Sequence, residues 1–216
     1  MSENLHLLNS NKKILALFNQ GCVFCAFDTE TSGQNPNTSG IIEIGAVKFT
    51  KDKILEKFSS LVKISEPLNK FITDLTGITD EMLKPAPSPL QVITEFRKFC
   101  RDTVLVAHNA QFDLRFVNEE SRRLGFLPLS NSAVDTLRLS RLMLPENGCW
   151  KQTFLADQFN IDKGHAHRAL DDATVCAELF KILIQLPVPP KKKRQISKEY
   201  SPYSQQIRSL AEQALS

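Results

Sequence analysis

A mixed α/β domain, one sheet with helices on its faces, is what three features of this 216-residue chain predict. Residues 22–28 and 41–49 are rich in Val, Ile and Phe, and the second segment alternates cleanly, as strands do. A polar turn at residues 51–53 leads at once to a third apolar stretch, so these strands read as an antiparallel meander. Beyond residue 90, short apolar segments alternate with stretches of helical period, the pattern of βα units.

The elements follow in order. Residues 1–20 contain Leu5, Leu7, Leu8, Ile14, Leu15, Leu17 and Phe18, an amphipathic pattern that predicts a helix packed on the domain, with a partner-binding helix as the alternative. Strands follow at 22–28, 41–49 and within 54–63. A helix is expected at 90–100, a buried strand in TVLVA at 103–107, and a helix over 110–124 carrying Phe112, Phe116, Val117 and Leu124 at helical spacings. A further strand near 133–135 precedes helices at about 136–143 and 151–159. The final helix, 169–186, stops before Pro187, which cannot continue it. The folded domain is therefore expected over residues 21–186, with no internal repeat.

Composition excludes several classes. At 42% hydrophobic and 24% charged, the chain is neither fibrous nor disordered as a whole. It has no run of about 18 apolar residues for a membrane span and no signal-peptide core near its start, so a cytoplasmic location with no membrane partner is expected. Five cysteines, an odd number at scattered positions, argue against a disulfide framework. Cys22 and Cys25 form a CxxC inside the apolar run CVFCAF, without a second pair at zinc spacing, and read as buried thiols.

The formal charge of +3 is unevenly spread. Residues 187–216 hold six basic and two acidic residues of the chain's 27 and 24, a balance of +4, leaving the preceding body 21 against 22, or −1. A uniformly basic DNA-coating domain is ruled out. The Pro- and Ser-rich tail reads as a flexible arm: its KKKR could bind phosphates, or it could be a linker to a docking helix around Ile207, Leu210 and Leu215. QIRSL at 206–210 faintly resembles a sliding-clamp-binding pentapeptide without the terminal aromatic.

Chemistry points to a set of acids. Asp28 and Glu30 close an otherwise apolar strand, and residues i and i+2 of a strand share a face. Like charges so placed are either solvated at the strand end or, if buried, neutralised by cations, for which hard oxygen ligands favour Mg²⁺ or Mn²⁺. Asp113 follows the buried strand 103–107 by one helical turn, near the carboxyl end where ligands of α/β sheets collect. His167 and Asp172 are five apart, about 140° around a helix, so the imidazole is expected on a loop ahead of the helix that holds the carboxylate.

FDTET at 27–31, HNAQFD at 108–113 and HRALDD at 167–172, in this order, resemble the three motifs of the DEDDh 3′-to-5′ exonucleases. This is the DnaQ-like group that includes the proofreading epsilon subunit of bacterial DNA polymerase III. IIEIGAVKF, LTGIT at 75–79 and VDTLRLSR at 134–141 extend the similarity over residues 20–186. The resemblance implies a ribonuclease H-like fold, a mixed five-stranded sheet flanked by helices. It implies Asp28, Glu30, Asp113 and Asp172 as ligands of two divalent cations and His167 as general base, on a mobile loop. The family pattern selects Asp172 over Asp171, which would point away, and His167 over His165.

The implied reaction is hydrolysis releasing nucleoside 5′-monophosphates from a single-stranded or frayed DNA 3′ end, assisted by two metal ions. An imidazole, whose ordinary pKa is about 6.5, can take the water's proton near neutral pH. Thr31, Leu75, Ile78, His108 and Phe112 are the implied lining of the substrate pocket, with core packing as the competing role for Leu75, Ile78 and Phe112 and a structural place at the strand end for His108. Replication proofreading beside a polymerase subunit is the first expectation. A free-standing repair enzyme or an exoribonuclease of the same fold is the alternative, and a nucleic-acid-binding protein that has lost catalysis is disfavoured by the intact set of five residues.

Overall fold

In the computed structural model, which describes residues 6–165 and 167–190, five strands form one sheet: Phe24–Thr31 (β1), Ile41–Phe49 (β2), Ile54–Leu61 (β3), Val104–Ala107 (β4) and Ala133–Asp135 (β5). Their order is β3-β2-β1-β4-β5. The first three pair antiparallel, while β4 runs parallel to β1 and β5 parallel to β4. The meander and the βα units thus join through β1 at the centre. The expected mixed five-stranded sheet is the one observed.

Strand β1 continues past the apolar stretch that ends at 28, through Glu30, to Thr31. The apolar patterning stops but the backbone keeps pairing: Asp28 lies opposite Gly45 and Glu30 opposite Glu43. Polar side chains at the end of a strand hide it from a hydrophobicity reading.

The helices are Asn11–Asn19 (α1), Lys70–Thr76 (α2), Asp80–Leu83 (α3), Pro89–Phe99 (α4), Ala110–Arg123 (α5), Thr136–Met143 (α6), Gln152–Gln158 (α7) and Ala169–Gln185 (α8). α2 and α3 were not expected, because seven and four residues are too few to display a helical period. Caps define them instead. The Asn69 side chain accepts from the Ile72 N–H, the Thr79 side chain accepts from the Met82 N–H, and Gly77 closes α2 in a left-handed conformation, φ 70°.

Alternation along β1 splits the core. Phe24 and Ala26 face α1, α6, α7 and α8, packing with Phe18, Phe49, Leu155 and Phe180. Cys25 and Phe27 face α4 and α5, packing with Phe96, Phe116 and Val117. α1 docks through buried Ile14 and Phe18, so the helix occupies part of the 1–20 segment. Of the CxxC pair, Cys25 is buried but Cys22 only half-buried, and all five thiols are free. The basic tail from residue 191 and its clamp-like pentapeptide lie outside the described residues.

Candidate active site

Two faces of one strand converge on the site. Asp28 and Glu30 continue the face of Phe24 and Ala26, which α8 covers, so the helix carrying Asp172 lies over both. Thr29 points to the opposite face, where α5 brings Asp113. One Asp113 carboxylate oxygen accepts from the Thr29 N–H at 3.0 Å and from its hydroxyl at 2.8 Å. Helix α5 begins just past the carboxyl end of β4 because Asn109 adopts a left-handed conformation, φ 67°. Asp113 therefore sits buried at the end of the sheet, next to the strand that carries Asp28.

The electrostatics are those of a cation site. Burial, then the neighbouring Asp113, Glu30, Asp172 and Glu43 carboxylates, raise the Asp28 pKa well above the ordinary carboxylate range. Glu30 is pushed up to about 7 by burial and by Asp172, Glu43 and Asp113, with Arg168 opposing. Asp113 is raised to about 7 by burial despite the Thr29 hydrogen bonds. Asp172 is raised by burial despite bonds from His167 and Gln152. An all-oxygen donor set that repels itself fits hard divalent cations.

His167 lies on the expected loop, exposed, with φ 62°. Its N–H donates to Asp172 Oδ2 at 2.9 Å. Glu30, His167 and Asp172 each offer a ligand atom within 4.8 Å of the others. The structure therefore gathers Glu30, His167 and Asp172 into one ligand group, with Asp28 and Asp113 within electrostatic reach of its carboxylates. Asp171 does not simply point away: it accepts from the His165 N–H at 2.8 Å, and its carboxylate lies where a Cβ on Gly164 would have to be.

Sequence reasoning missed Glu43 and Arg168. Glu43 is 1% exposed, opposite Glu30 in the sheet. The Arg168 Nη2 donates to it at 2.8 Å and the Arg168 Nε at 3.2 and 3.3 Å, while the Ala169 N–H adds a bond at 3.0 Å. Gly45 is part of the same fitting, since an added Cβ would overlap the backbone of Ala169 and Leu170. The residue after His167 is thus tied to the strand beside Glu30. The signal was present as an acid inside the apolar IIEIGAVKF, which needs a partner when buried.

Gln152 is the other omission: its Nε2 donates to Asp172 Oδ1 at 3.2 Å and to Asp172 O at 3.0 Å, holding that carboxylate from α7.

The expected pocket residues divide. Leu75 is 41% exposed and Phe112 half-buried, its ring 5.0 Å from that of Phe116. Thr31 is buried and donates to Gly33 O at 2.7 Å. Ile78 is 0% exposed, packed with Ile42, Ile72 and Leu83, so its side chain has no face for a ligand and it supports the α2–α3 turn from within. His108 is held on both ring nitrogens, by the Thr136 hydroxyl at 3.0 Å and Trp150 O at 2.9 Å. Its burial lowers its pKa.

The sequence profile of the RNase T exonuclease family matches residues 25–180. The chain belongs to this family. This exonuclease domain is 42% identical over 157 residues to the PolC-type DNA polymerase III of Caldanaerobacter subterraneus and 39% identical over 162 residues to that of Staphylococcus aureus. These alignments cover 73% and 75% of the chain but 11% of each relative, so it spans about a tenth of their length. In fold, it resembles E. coli exonuclease I in complex with a dT13 oligonucleotide, with TM-score 0.69, 18% identity, and coverage of 76% of this chain and 41% of that one. Exonuclease I from Methylocaldum szegediense gives TM-score 0.65 and 21% identity, covering 76% and 40%. No helix among the described residues is long and apolar enough to cross a membrane.

Two expected results follow for the exonuclease domain. The metal-free fold holds protons on Glu30 and Asp113 up to about pH 7 that an unfolded chain releases near pH 4. The folded state binds more protons across that window, so stability falls as pH rises from about 4 to 7. The thermal midpoint in EDTA should be lower at pH 8 than at pH 5, and Mg²⁺ should raise it more at pH 8.

The second concerns the Arg168–Glu43 pair. Arg168→Met leaves Glu43 buried without its cation; because the Arg168 side chain is 41% exposed, the cost falls below the roughly 3–5 kcal/mol of a fully buried pair. The midpoint should drop by several degrees and kcat by about 10–100-fold, with added Glu43→Gln recovering most of the midpoint but not the rate.

Proposed function

We propose that this domain is a divalent-metal-dependent 3′-to-5′ exonuclease that removes nucleoside 5′-monophosphates from DNA 3′ ends, in replication proofreading. The observation that carries the reading is the convergence of Asp28, Glu30, Asp113 and Asp172 at the end of β1, with His167 beside Glu30 and Asp172. Asp28, Glu30, Asp113 and Asp172 would hold two Mg²⁺ or Mn²⁺ ions. When bound, such ions lower the pKa of water and stabilise the leaving 3′ oxygen.

The protein's own groups do the rest. His167 accepts the proton of the attacking water, and its backbone bond to Asp172 keeps the ring at the mouth of the site. Gln152 and the Arg168–Glu43 pair fix the carboxylate and the loop from two sides. Leu75 and Phe112 offer apolar surface to the terminal bases, with Thr31 at the strand end and Ile78 packed with Ile42, Ile72 and Leu83 behind the α2–α3 turn. His108, bonded on both nitrogens, acts as a wall of the site.

Similarity to PolC-type polymerases supports proofreading alongside a polymerase partner, in the cytoplasm. A free-standing repair exonuclease is the second reading, supported by the likeness in fold to exonuclease I. The test compares a 3′-mismatched primer duplex, its matched counterpart, single-stranded DNA and RNA, each with Mg²⁺ or Mn²⁺. Mismatched and single-stranded DNA should be shortened faster than the matched duplex. Faster degradation of RNA than of single-stranded DNA would overturn the choice of substrate.

A further inference from the structure

Beside the carboxylates, between α6 and α7, lies a cavity of about 330 Å³ lined by His108, Leu137, Arg141, Trp150, Lys151 and Gln152. Two of its walls are continuous with the site. His108 follows β4 and precedes Asp113 in the chain, and Gln152 bonds Asp172 directly. Gln152 Oε1 is buried without a donor, so the wall is incomplete as a hydrogen-bonded structure.

Its cations are unspent. Arg168, Arg122, Arg123, Lys163 and Lys181 each pair with a carboxylate, whereas Arg141 and Lys151 form no salt bridge among the described residues. The Arg141 guanidinium instead stands over the Trp150 ring, 6.0 Å from its centroid. That indole is fixed by its N–H donating to Leu144 O at 3.0 Å. Stacking on an anchored ring holds the guanidinium in place with its donors free.

We propose that this cavity seats the nucleotide unit of the substrate strand next to the scissile bond, with Arg141 and Lys151 on its phosphate and Leu137 and Trp150 against its sugar or base. A body with net charge −1 over residues 1–186 gives a polyanion no general attraction. Apart from bound metal ions and the basic tail, contacts to the strand then come from a few local cations, and these two border the reaction centre. The inference rests on the exonuclease reading, and names where that enzyme holds its strand.

The experiment measures binding of fluorescent single-stranded DNA by anisotropy, in Ca²⁺ at several salt concentrations, for wild type and Arg141→Gln/Lys151→Gln. Each phosphate contact to a single strand contributes about 0.7 to the slope of log affinity against log salt, so the double variant, which releases that one phosphate, should lose about 0.7 of slope. A second variant, Lys98→Gln/Arg101→Gln, removes the same charge from a cavity of about 490 Å³ at the amino end of β4, the pole away from the site. It should keep the wild-type slope. Equal slopes for Arg141→Gln/Lys151→Gln and wild type, or equal losses in both double variants, would overturn the proposal. Strand cleavage by wild type with Mg²⁺, read separately, reports on the exonuclease reading itself.

Discussion

Asp28→Asn is expected to lower the Mg²⁺-dependent kcat at least about 10³-fold, since cation stabilisation of a phosphoryl transition state is worth several kcal/mol. The same change should make the metal-free protein more stable at pH 8. Asp28 is crowded by Asp113, Glu30, Asp172 and Glu43, and its pKa is displaced upward by burial and by all of them. An amide keeps the shape and removes the repulsion, so a gain of about 1–2 kcal/mol, a few degrees in midpoint, is expected. Loss of rate with gain of stability is the signature of residues clustered for metal binding rather than for folding. Activity and thermal melting in EDTA, measured on one preparation, check both halves. A destabilised, inactive variant would point to a structural role instead.

His167→Ala is expected to lower kcat by about 10²–10⁴-fold, the usual contribution of a positioned general base. The imidazole is exposed and its segment is anchored by backbone, through the His167 N–H to Asp172 and the Ala169 N–H to Glu43. Truncating the ring therefore leaves the loop bonded and the midpoint nearly unchanged. Because Glu30, His167 and Asp172 also form a geometric ligand group, the same variant separates two roles. Mn²⁺ affinity close to wild type identifies a base, and a large loss of affinity identifies a ligand.

The sheet and its order of elements were legible because β2 and the longer helices carry periods and β4 is a short, unbroken apolar run. What escaped had a physical reason in each case. β1 ran on past the apolar segment because Asp28 and Glu30 are polar while backbone pairing to β2 carries the strand through them to Thr31. α2 and α3 are defined by Asn69, Thr79 and Gly77 caps and not by period. In the site, motifs and their order led to the five central residues, since strand alternation and loop-before-helix placement are local properties. The Glu43–Arg168 pair joins residues 125 apart in sequence, and Gln152 reaches Asp172 from a different helix. Contacts of that range leave only a weak local trace, such as an acid inside an apolar strand. Ile78 and His108 show the converse: motif positions whose contacts are met inside the protein.

The most direct measurement of the central claim uses single-stranded DNA labelled at its 3′ or its 5′ end, with Mg²⁺ or EDTA, for wild type and Asp28→Asn. The 3′ label should leave at once as a 5′-mononucleotide, while the 5′ label stays on a ladder shortening one nucleotide at a time. Both should cease in EDTA and in the variant. Release of the 5′ label first, internal cuts, or equal activity in Asp28→Asn would contradict a 3′-to-5′ exonuclease built on these carboxylates.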